Sequence, residues 1–563
     1  MTNSQEKGEN MSTSSVSKDL QALETGNYLL DFLWELGVRE IFGVPGDYVI
    51  HFNKVIEEHK IRFINTTTEN SAGYMADTYA RFKGLGVACT TYGVGMVMAN
   101  SIAQAYVESS PVVIISGSAS EEEFQRAPCI HHYVEDSYTT QLEVFKPITV
   151  DQAVLNDPKT AAEDIHRVLN NCLLHKRPVY IELPRNMVDI DLIPHQYEKA
   201  KEKESNPKQL KQALDAVYKI LSKSQNPVFW LGHDITRYQL SDLATSLAEQ
   251  FQIPICSTVT GKTCVDETHP LYAGVYQGKV CDERIRNFVE SSDCLLSIGA
   301  LWSDVNTGMF TAQLDHLEQI RISAREIQIG KEKYDDIYFV DLLQAIQNAK
   351  WSFNFQVQYP RLDHNAIKSY QASPNSPSKT ASTLSCIQKY LSDEHIICCD
   401  IGDCLFASTE LVLSQNSYIS SSYFGTLGFA VPAAIATQLC YPEKRAIAMV
   451  GDGSFQMTAT ELSTAVRFNL DPIIIVLNNH GYGTERPLIE GEYNDIWNWN
   501  YAQLPSLFGK GKGVRVETET AFEDALKLAL STRGEFFLIE VELEQLDLSG
   551  PLQRLSTASA KIV

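Results

Sequence analysis

The sequence predicts an α/β protein built from three domains, each an open sheet of parallel strands with helices on its faces. Three observations predict it. The chain has 563 residues, more than one hydrophobic core serves, so division into several units is expected. Short, wholly apolar runs recur and end in Gly, Pro or Asp, the pattern of strands covered on both faces. Helical patterns separate these runs, as crossover connections between parallel strands require. Two polar stretches divide the alternation: Tyr197 to Pro207, with Glu and Lys alternating, and Tyr359 to Thr380, rich in Pro, Ser and Asn. The expected plan is a disordered polar segment at 1–20, a first domain at 21–195, a central domain at 208–355, a linker at 356–380 and a third domain at 381–563.

The elements follow in order. A helix is expected over Tyr28 to Leu36, then a strand from Ile41 to Val44 closed by Pro45-Gly46-Asp47. Pro111 to Ser116 and Pro178 to Leu183 read as buried strands of the first domain. In the central domain, Pro227 to Gly232, Ile255 to Thr258 and Cys294 to Gly299 are the expected strands. Their glycine turns look like those of a dinucleotide fold, but no G-x-G-x-x-G opens a helix, so no nucleotide is expected. The third domain has Ile396 to Cys399, Ala446 to Val450, Ile473 to Leu477 and Phe536 to Glu540. The first and third domains match in length and alternation, which suggests two related sheets.

Composition narrows the function. The net charge of -23 argues against nucleic acid and against an anionic membrane as partners. No apolar stretch is long enough to span a bilayer, and the N-terminus lacks the apolar core of a secretory signal. Twelve irregularly spaced cysteines, with Cys398 and Cys399 in an apolar strand, fit buried thiols in a reducing cytoplasm.

The motif that carries chemistry is Gly451-Asp452-Gly453-Ser454, closed by Leu477-Asn478-Asn479-His480-Gly481. Twenty-four residues separate Gly453 from Asn478. They read as one helix, Phe455 to Phe468 with Glu461 among its polar positions, and one strand. A carboxylate and an amide carbonyl therefore stand beyond the carboxyl ends of two parallel strands, where such sheets bind ligands. Asp452, Asn479 and the carbonyl of Gly481 are hard oxygen donors suited to Mg²⁺ rather than Zn²⁺. Ser454 and the N-H groups opening the helix suit a diphosphate.

This pair resembles the thiamine diphosphate motif, and the chain from about Thr25 to Glu542 is similar to the thiamine diphosphate-dependent 2-oxo acid decarboxylases. That family includes enzymes acting on pyruvate, indolepyruvate, phenylpyruvate and branched-chain 2-oxo acids. The resemblance implies the thiamine diphosphate-binding fold, with thiamine diphosphate and Mg²⁺ as cofactors. It implies conversion of a 2-oxo acid to an aldehyde and carbon dioxide. It assigns Glu69, in Thr66-Thr-Thr-Glu-Asn-Ser-Ala-Gly-Tyr74, to the pyrimidine ring. In Gly425-Thr-Leu-Gly-Phe429 it gives Gly425 a carbonyl contact to the amino group and Leu427 the apolar wedge that bends the cofactor. Asp403, Gly453, Ser454 and Thr484 fall on the cofactor side. Asp47, the adjacent His131 and His132, and Glu485 match the family's acid-base set. Such a set is needed because, after carbon dioxide leaves, a carbon must gain a proton and a hydroxyl must lose one. The implied assembly is a homodimer or homotetramer with active sites at the subunit interface.

The chain departs from the family in places. Asp400-Ile-Gly-Asp403 stands where E-x-G-T is usual, putting a carboxylate near the diphosphate. His480 replaces the usual Asp between Asn479 and Gly481, and Met96 stands where Glu is frequent. The substrate stays open between pyruvate and a larger aromatic or branched 2-oxo acid such as indolepyruvate. An acetolactate-forming or benzoin-type carboligase and a cofactor-binding scaffold without activity are the other readings.

Overall fold

The computed structural model describes residues 23–126, 129–135, 137–195, 197, 204–363 and 368–559. The segment at 1–20 lies outside them, as do parts of both expected linkers. The residues described form three open, mostly parallel sheets, as the apolar runs require.

The first sheet holds β1 (Glu40–Gly43), β2 (Arg62–Asn65), β3 (Gly86–Thr91), β4 (Val112–Ser118), β5 (Gln152–Val154) and β6 (Val179–Pro184). Its order is β2-β1-β3-β4-β6-β5, parallel throughout. The middle sheet holds β7 (Pro227–Leu231), β8 (Ile255–Ser257), β9 (Tyr272–Val275), β10 (Cys294–Ile298), β11 (Glu318–Ile322), β12 (Ile327–Ile329) and β13 (Glu332–Lys333). Its order is β9-β8-β7-β10-β11-β12-β13, and the last two pairings are antiparallel. The third sheet holds β14 (His395–Cys399), β15 (Tyr418–Ser420), β16 (Arg445–Gly451), β17 (Ile473–Asn478), β18 (Lys512–Val516) and β19 (Phe537–Glu542). Its order is β15-β14-β16-β17-β19-β18, again parallel throughout.

Counted from its own first strand, each outer sheet runs second, first, third, fourth, sixth, fifth. The order reverses between β1 and β3 in one and between β14 and β16 in the other. Crevices at the carboxyl ends of those strands are where open sheets bind ligands.

Two helices join the outer sheets. α1 (Glu69–Lys83) and α2 (Ala430–Cys440) share one core with Tyr74, Met75, Phe429, Ala433 and Phe455. Every residue of α2 is buried, as an apolar helix between a sheet and another helix must be. Arg81 of α1 reaches Asp77 at 2.7 Å, Glu108 at 3.0 Å and the Ser420 carbonyl at 2.8 Å, so the buried charges are paired.

One element differs from expectation. The helix expected over Phe455 to Phe468 is two short helices, α3 (Asp452–Thr458) and α4 (Leu462–Arg467), around a tight turn at Ala459–Glu461. The turn carries Glu461 off the solvent face and buries it completely. Its carboxylate accepts from Thr67 N at 3.2 Å, Thr67 Oγ1 at 2.5 Å and Thr464 Oγ1 at 2.6 Å. A buried charge so supplied with donors is tolerated, and it ties the two outer domains together. Cys398 and Cys399 are buried as expected, and all twelve cysteines are free thiols.

Candidate active site

At the edge of the first sheet, the turn after β1 needs two glycines because the chain runs against β3. A Cβ on Gly43 would lie 2.1 Å from the Cys89 carbonyl, and one on Gly46 would lie 2.6 Å from Thr91 Cβ. The turn delivers Asp47 to the loop carrying both histidines. Asp47 Oδ2 is 2.6 Å from His131 Nε2, and Oδ1 is 3.6 Å from His132 Nε2. Burial works to raise the Asp47 carboxyl. The hydrogen bond and charge of His131, with the charge of His132, outweigh it and hold the group below its usual value. His132 takes a left-handed backbone, φ 70°. It sits where a Cβ on Gly93 would meet its carbonyl at 2.1 Å.

Glu69 is the first residue of α1, but the N-cap is Thr68, whose hydroxyl accepts from Ser71 N at 3.2 Å. Capping therefore makes no claim on the Glu69 carboxylate, which is half-buried.

The second set surrounds a cleft of about 500 Å³ at the edge of the third sheet. Asp403, Leu427, Asp452, Gly453, Ser454 and Thr484 line it, with Asn479 and Gly481. Asp452 is 1% exposed. Its carboxylate accepts from Gly453 N at 2.8 Å and Gly481 N at 2.9 Å. Burial still pushes it up to about 6. Gly481 has φ 141°, and a Cβ there would lie 2.1 Å from the Asn494 carbonyl, so only glycine fits. The Asn479 side-chain oxygen lies 3.0 Å from the Gly481 carbonyl oxygen and 3.3 Å from Asp452 Oδ1. In this orientation the Asn479 oxygen faces two acceptor oxygens and has no donor of its own, an arrangement that a divalent cation would satisfy. With the amide turned over, its NH₂ would donate to both neighbours instead.

The departures resolve in geometric terms. His480 points out of the cleft, with Nε2 2.7 Å from Glu542 Oε1 and Nδ1 3.0 Å from Asn498. Asp403 is paired: its carboxylate accepts from Ser549 N at 2.8 Å and from the Ser549 hydroxyl. Burial raises it to about 6. The Ser454 hydroxyl donates to Asp400 Oδ1 at 2.8 Å, which leaves its main-chain N-H for a ligand. Asp400, fully buried, also accepts from Ile401 N, Gly428 N and Ala430 N, and burial lifts it to about 6. It thereby fixes the Gly425–Phe429 turn against the cleft. Gly425 has φ 71°, accessible to glycine without strain.

Asp47, His131 and His132 come together, and the Asp452 set comes together. Glu69 and the Asp47 group line no part of the Asp452 cleft. Glu485 is exposed, one residue beyond Thr484 at the cleft wall. Sequence reasoning missed two residues. Asp400, read from sequence only as a departure and given no role, directly follows β14 at the strand-order reversal, and that position could have flagged it. Tyr48 follows Asp47 and contacts His131 from 83 positions away, with no local signal. In the middle sheet the glycine turns serve packing: a Cβ on Gly232 would lie 2.2 Å from Ala300 Cα.

Comparison with known proteins places three family models along the chain. The N-terminal TPP binding domain of thiamine pyrophosphate enzymes matches residues 23–143, the central domain 214–348 and the C-terminal TPP binding domain 400–541. The chain is 34% identical to an indole-3-pyruvate decarboxylase of Azospirillum brasilense, covering 93% of this chain and 96% of that protein. It is 32% identical to a pyruvate decarboxylase of Aspergillus fumigatus, covering 98% and 99%. It is 30% identical to an alpha-keto-acid decarboxylase of Mycobacterium tuberculosis, covering 94% and 96%.

Proposed function

The chain belongs to the thiamine diphosphate-dependent 2-oxo acid decarboxylases, and from that premise we propose how its residues divide the work. The enzyme removes carbon dioxide from a 2-oxo acid without oxidation. Thiamine diphosphate, when bound, supplies the carbon nucleophile and the electron sink.

Asp452, Asn479 and the Gly481 carbonyl hold Mg²⁺. The observation that supports this reading is the Asn479 side-chain oxygen, which faces the Gly481 carbonyl and Asp452 Oδ1 with no donor of its own. The main-chain N-H of Ser454 would meet the diphosphate, with Gly453 and Thr484 beside it. Asp403 stays turned to Ser549, so its charge is spent away from the phosphates. With the cofactor bound, Leu427 would supply apolar support at the cleft wall, and the Gly425 carbonyl would be the acceptor for the amino group. Glu69, spared from capping, bonds the pyrimidine ring. Glu485 meets the substrate carboxylate. The pair Asp47 and His131, with His132, moves protons to and from the product carbon and oxygen.

The two sets stand apart within one chain, so the complete site is assigned to a homodimer or homotetramer in which one subunit's first domain covers its partner's cleft. Among the described residues no helix is long and apolar enough to cross a membrane. The free thiols support a cytoplasmic location. The substrate is pyruvate, with tolerance for larger 2-oxo acids.

Pyruvate, 2-oxoisovalerate, phenylpyruvate and indolepyruvate, each incubated with the Mg²⁺-loaded enzyme, test this. Carbon dioxide with equimolar aldehyde is the expected result. Acyloin as main product would make the chain a carboligase, and no gas from any acid would make it a scaffold. A kcat/KM for pyruvate about a hundredfold below that for indolepyruvate would remove pyruvate as substrate.

A further inference from the structure

Tyr48 carries none of the roles described above. Its side chain is buried, 1% exposed, although its neighbour Asp47 and its partner His131 are open to solvent. Three contacts join it to His131. The rings stack with centroids 5.0 Å apart and 20° between planes. The hydroxyl lies 3.3 Å from His131 Nδ1 and 3.2 Å from the His131 carbonyl. The tyrosine itself is fixed. Its N-H donates to Thr91 Oγ1 at 3.3 Å. A Cβ on Gly117 would meet its carbonyl at 2.4 Å, and the Arg185 guanidinium lies 5.3 Å from its ring centroid. An exposed histidine is thus set against a rigid phenol.

The hydrogen-bond arithmetic gives the contact a consequence. A carbonyl oxygen only accepts, so the Tyr48 hydroxyl donates its proton there. Its lone pair is then left to accept from Nδ1-H. That fixes Nδ1 as the nitrogen that keeps its proton, and Nε2 as the one that exchanges. Nε2 is the atom 2.6 Å from Asp47 Oδ2. Without the hydroxyl, the acceptor Asp47 would draw the ring's proton to Nε2, the opposite tautomer.

We propose that Tyr48 is a positioning residue that holds His131 in the Nδ1-H form, so that the Asp47–His131 pair carries one transferable proton between Oδ2 and Nε2. The inference rests on the acid-base role proposed above for that pair. In the step concerned, the electron pair left on carbon by departing carbon dioxide forms a C-H bond with this proton. The pair is left one proton short, to be refilled from the product hydroxyl as the aldehyde forms. When the pair is misaligned, the carbon waits unprotonated and adds to a second aldehyde, giving acyloin.

Two measurements test it. The first needs no turnover: long-range proton–nitrogen spectra of ¹⁵N-histidine-labelled protein, with the His131 signals assigned by His131→Gln. In the natural protein, neutral His131 should show protonated Nδ1; in Tyr48→Phe, which keeps the stacked ring, it should show protonated Nε2. A neutral His131 in the natural protein with its single proton on Nε2 and none on Nδ1 overturns the proposal, whether or not the variant folds. The second is product partition with added acetaldehyde. Tyr48→Phe should lower aldehyde release at least about tenfold and raise the acyloin share roughly threefold or more, with KM and cofactor affinity within about twofold. An unchanged product ratio overturns the proposal. Absence of carbon dioxide from the natural enzyme would instead overturn the proposed function, and the tautomer would still decide the Tyr48 contact.

Discussion

The first and third sheets share one strand order and present the same edge, yet they arm it differently. At the β1/β3 crevice stands Asp47, with a side chain 43% exposed and two histidines against it. At the β14/β16 crevice stand Asp400 and Asp452, both buried and held by main-chain N-H groups. One residue type in one topological position is shifted in opposite directions. Histidine contacts lower Asp47 in spite of burial, and burial raises Asp452 in spite of its donors. A group that exchanges protons with substrate needs a partner and an open path. A seat for a cation and an anionic cofactor needs fixed donors and little water. The likeness of the two sheets thus lies in the backbone, and their difference lies in a few side chains beyond the strand ends.

The sharpest way to break this comparison is to disable each edge separately. Asp452→Ala should abolish the heat of thiamine diphosphate binding in the presence of Mg²⁺. Asp47→Asn should keep cofactor affinity within about threefold and lower kcat roughly 10²–10⁴-fold. Equal loss of cofactor in both variants would erase the distinction. Glu69→Gln probes the boundary, since it lies on the first sheet's side but is the residue proposed to serve the cofactor. Its bound cofactor should exchange the reactive ring proton for deuterium about 10² times more slowly, with affinity preserved. Fast exchange in that variant would remove Glu69 from the assigned role.

The sequence made the seat more legible than the proton apparatus, for physical reasons. Asp452, Asn479 and Gly481 are bound to glycine turns at strand ends, so chain-local spacing reveals them. Buried strands such as β16 and β17 read as apolar runs because both faces are covered. β18 did not, because its edge position leaves Lys512, Gly513 and Arg515 exposed. Tyr48 was invisible because its meaning depends on a loop 83 positions away. Glu461 looked like a solvent-facing helix position. Its actual partner, Thr67, belongs to another domain, and no periodicity reports that.

Mixing crippled subunits sharpens the comparison further. If each site combines one subunit's first domain with its partner's third, a Glu69→Gln chain and an Asp452→Ala chain complement each other. In a mixed dimer one site collects both lesions and the other none. Random equal mixing after dissociation should therefore restore about a quarter of natural activity, from two parents that are each nearly inactive. No recovery, with subunit exchange verified by mass, would place the whole site within one chain.

The smallest expected effect is the pH dependence of local stability in the cofactor-free protein. In the third domain, burial raises Asp400, Asp403 and Asp452 to about 6 from an ordinary 3.8. A carboxyl raised on folding binds more protons folded than unfolded between those values. Its stabilisation is full below the unfolded value and is lost as pH rises through about 6. His395, lowered by burial in the same domain, works in the opposite sense and offsets part of this. In the first domain the two relevant groups oppose one another. Burial raises Glu182 to about 7, so its contribution fades as pH rises from 4.5. Burial lowers His166 to about 4, so its contribution is present above 6.5 and fades as pH falls. Between about pH 4.5 and 6.5, hydrogen exchange corrected for intrinsic rate should therefore quicken by roughly tenfold or more in β16 and β17 and stay within about twofold in β3 and β4. The same slope in both sheets would mean that the burial of the three aspartates does not distinguish the two edges energetically.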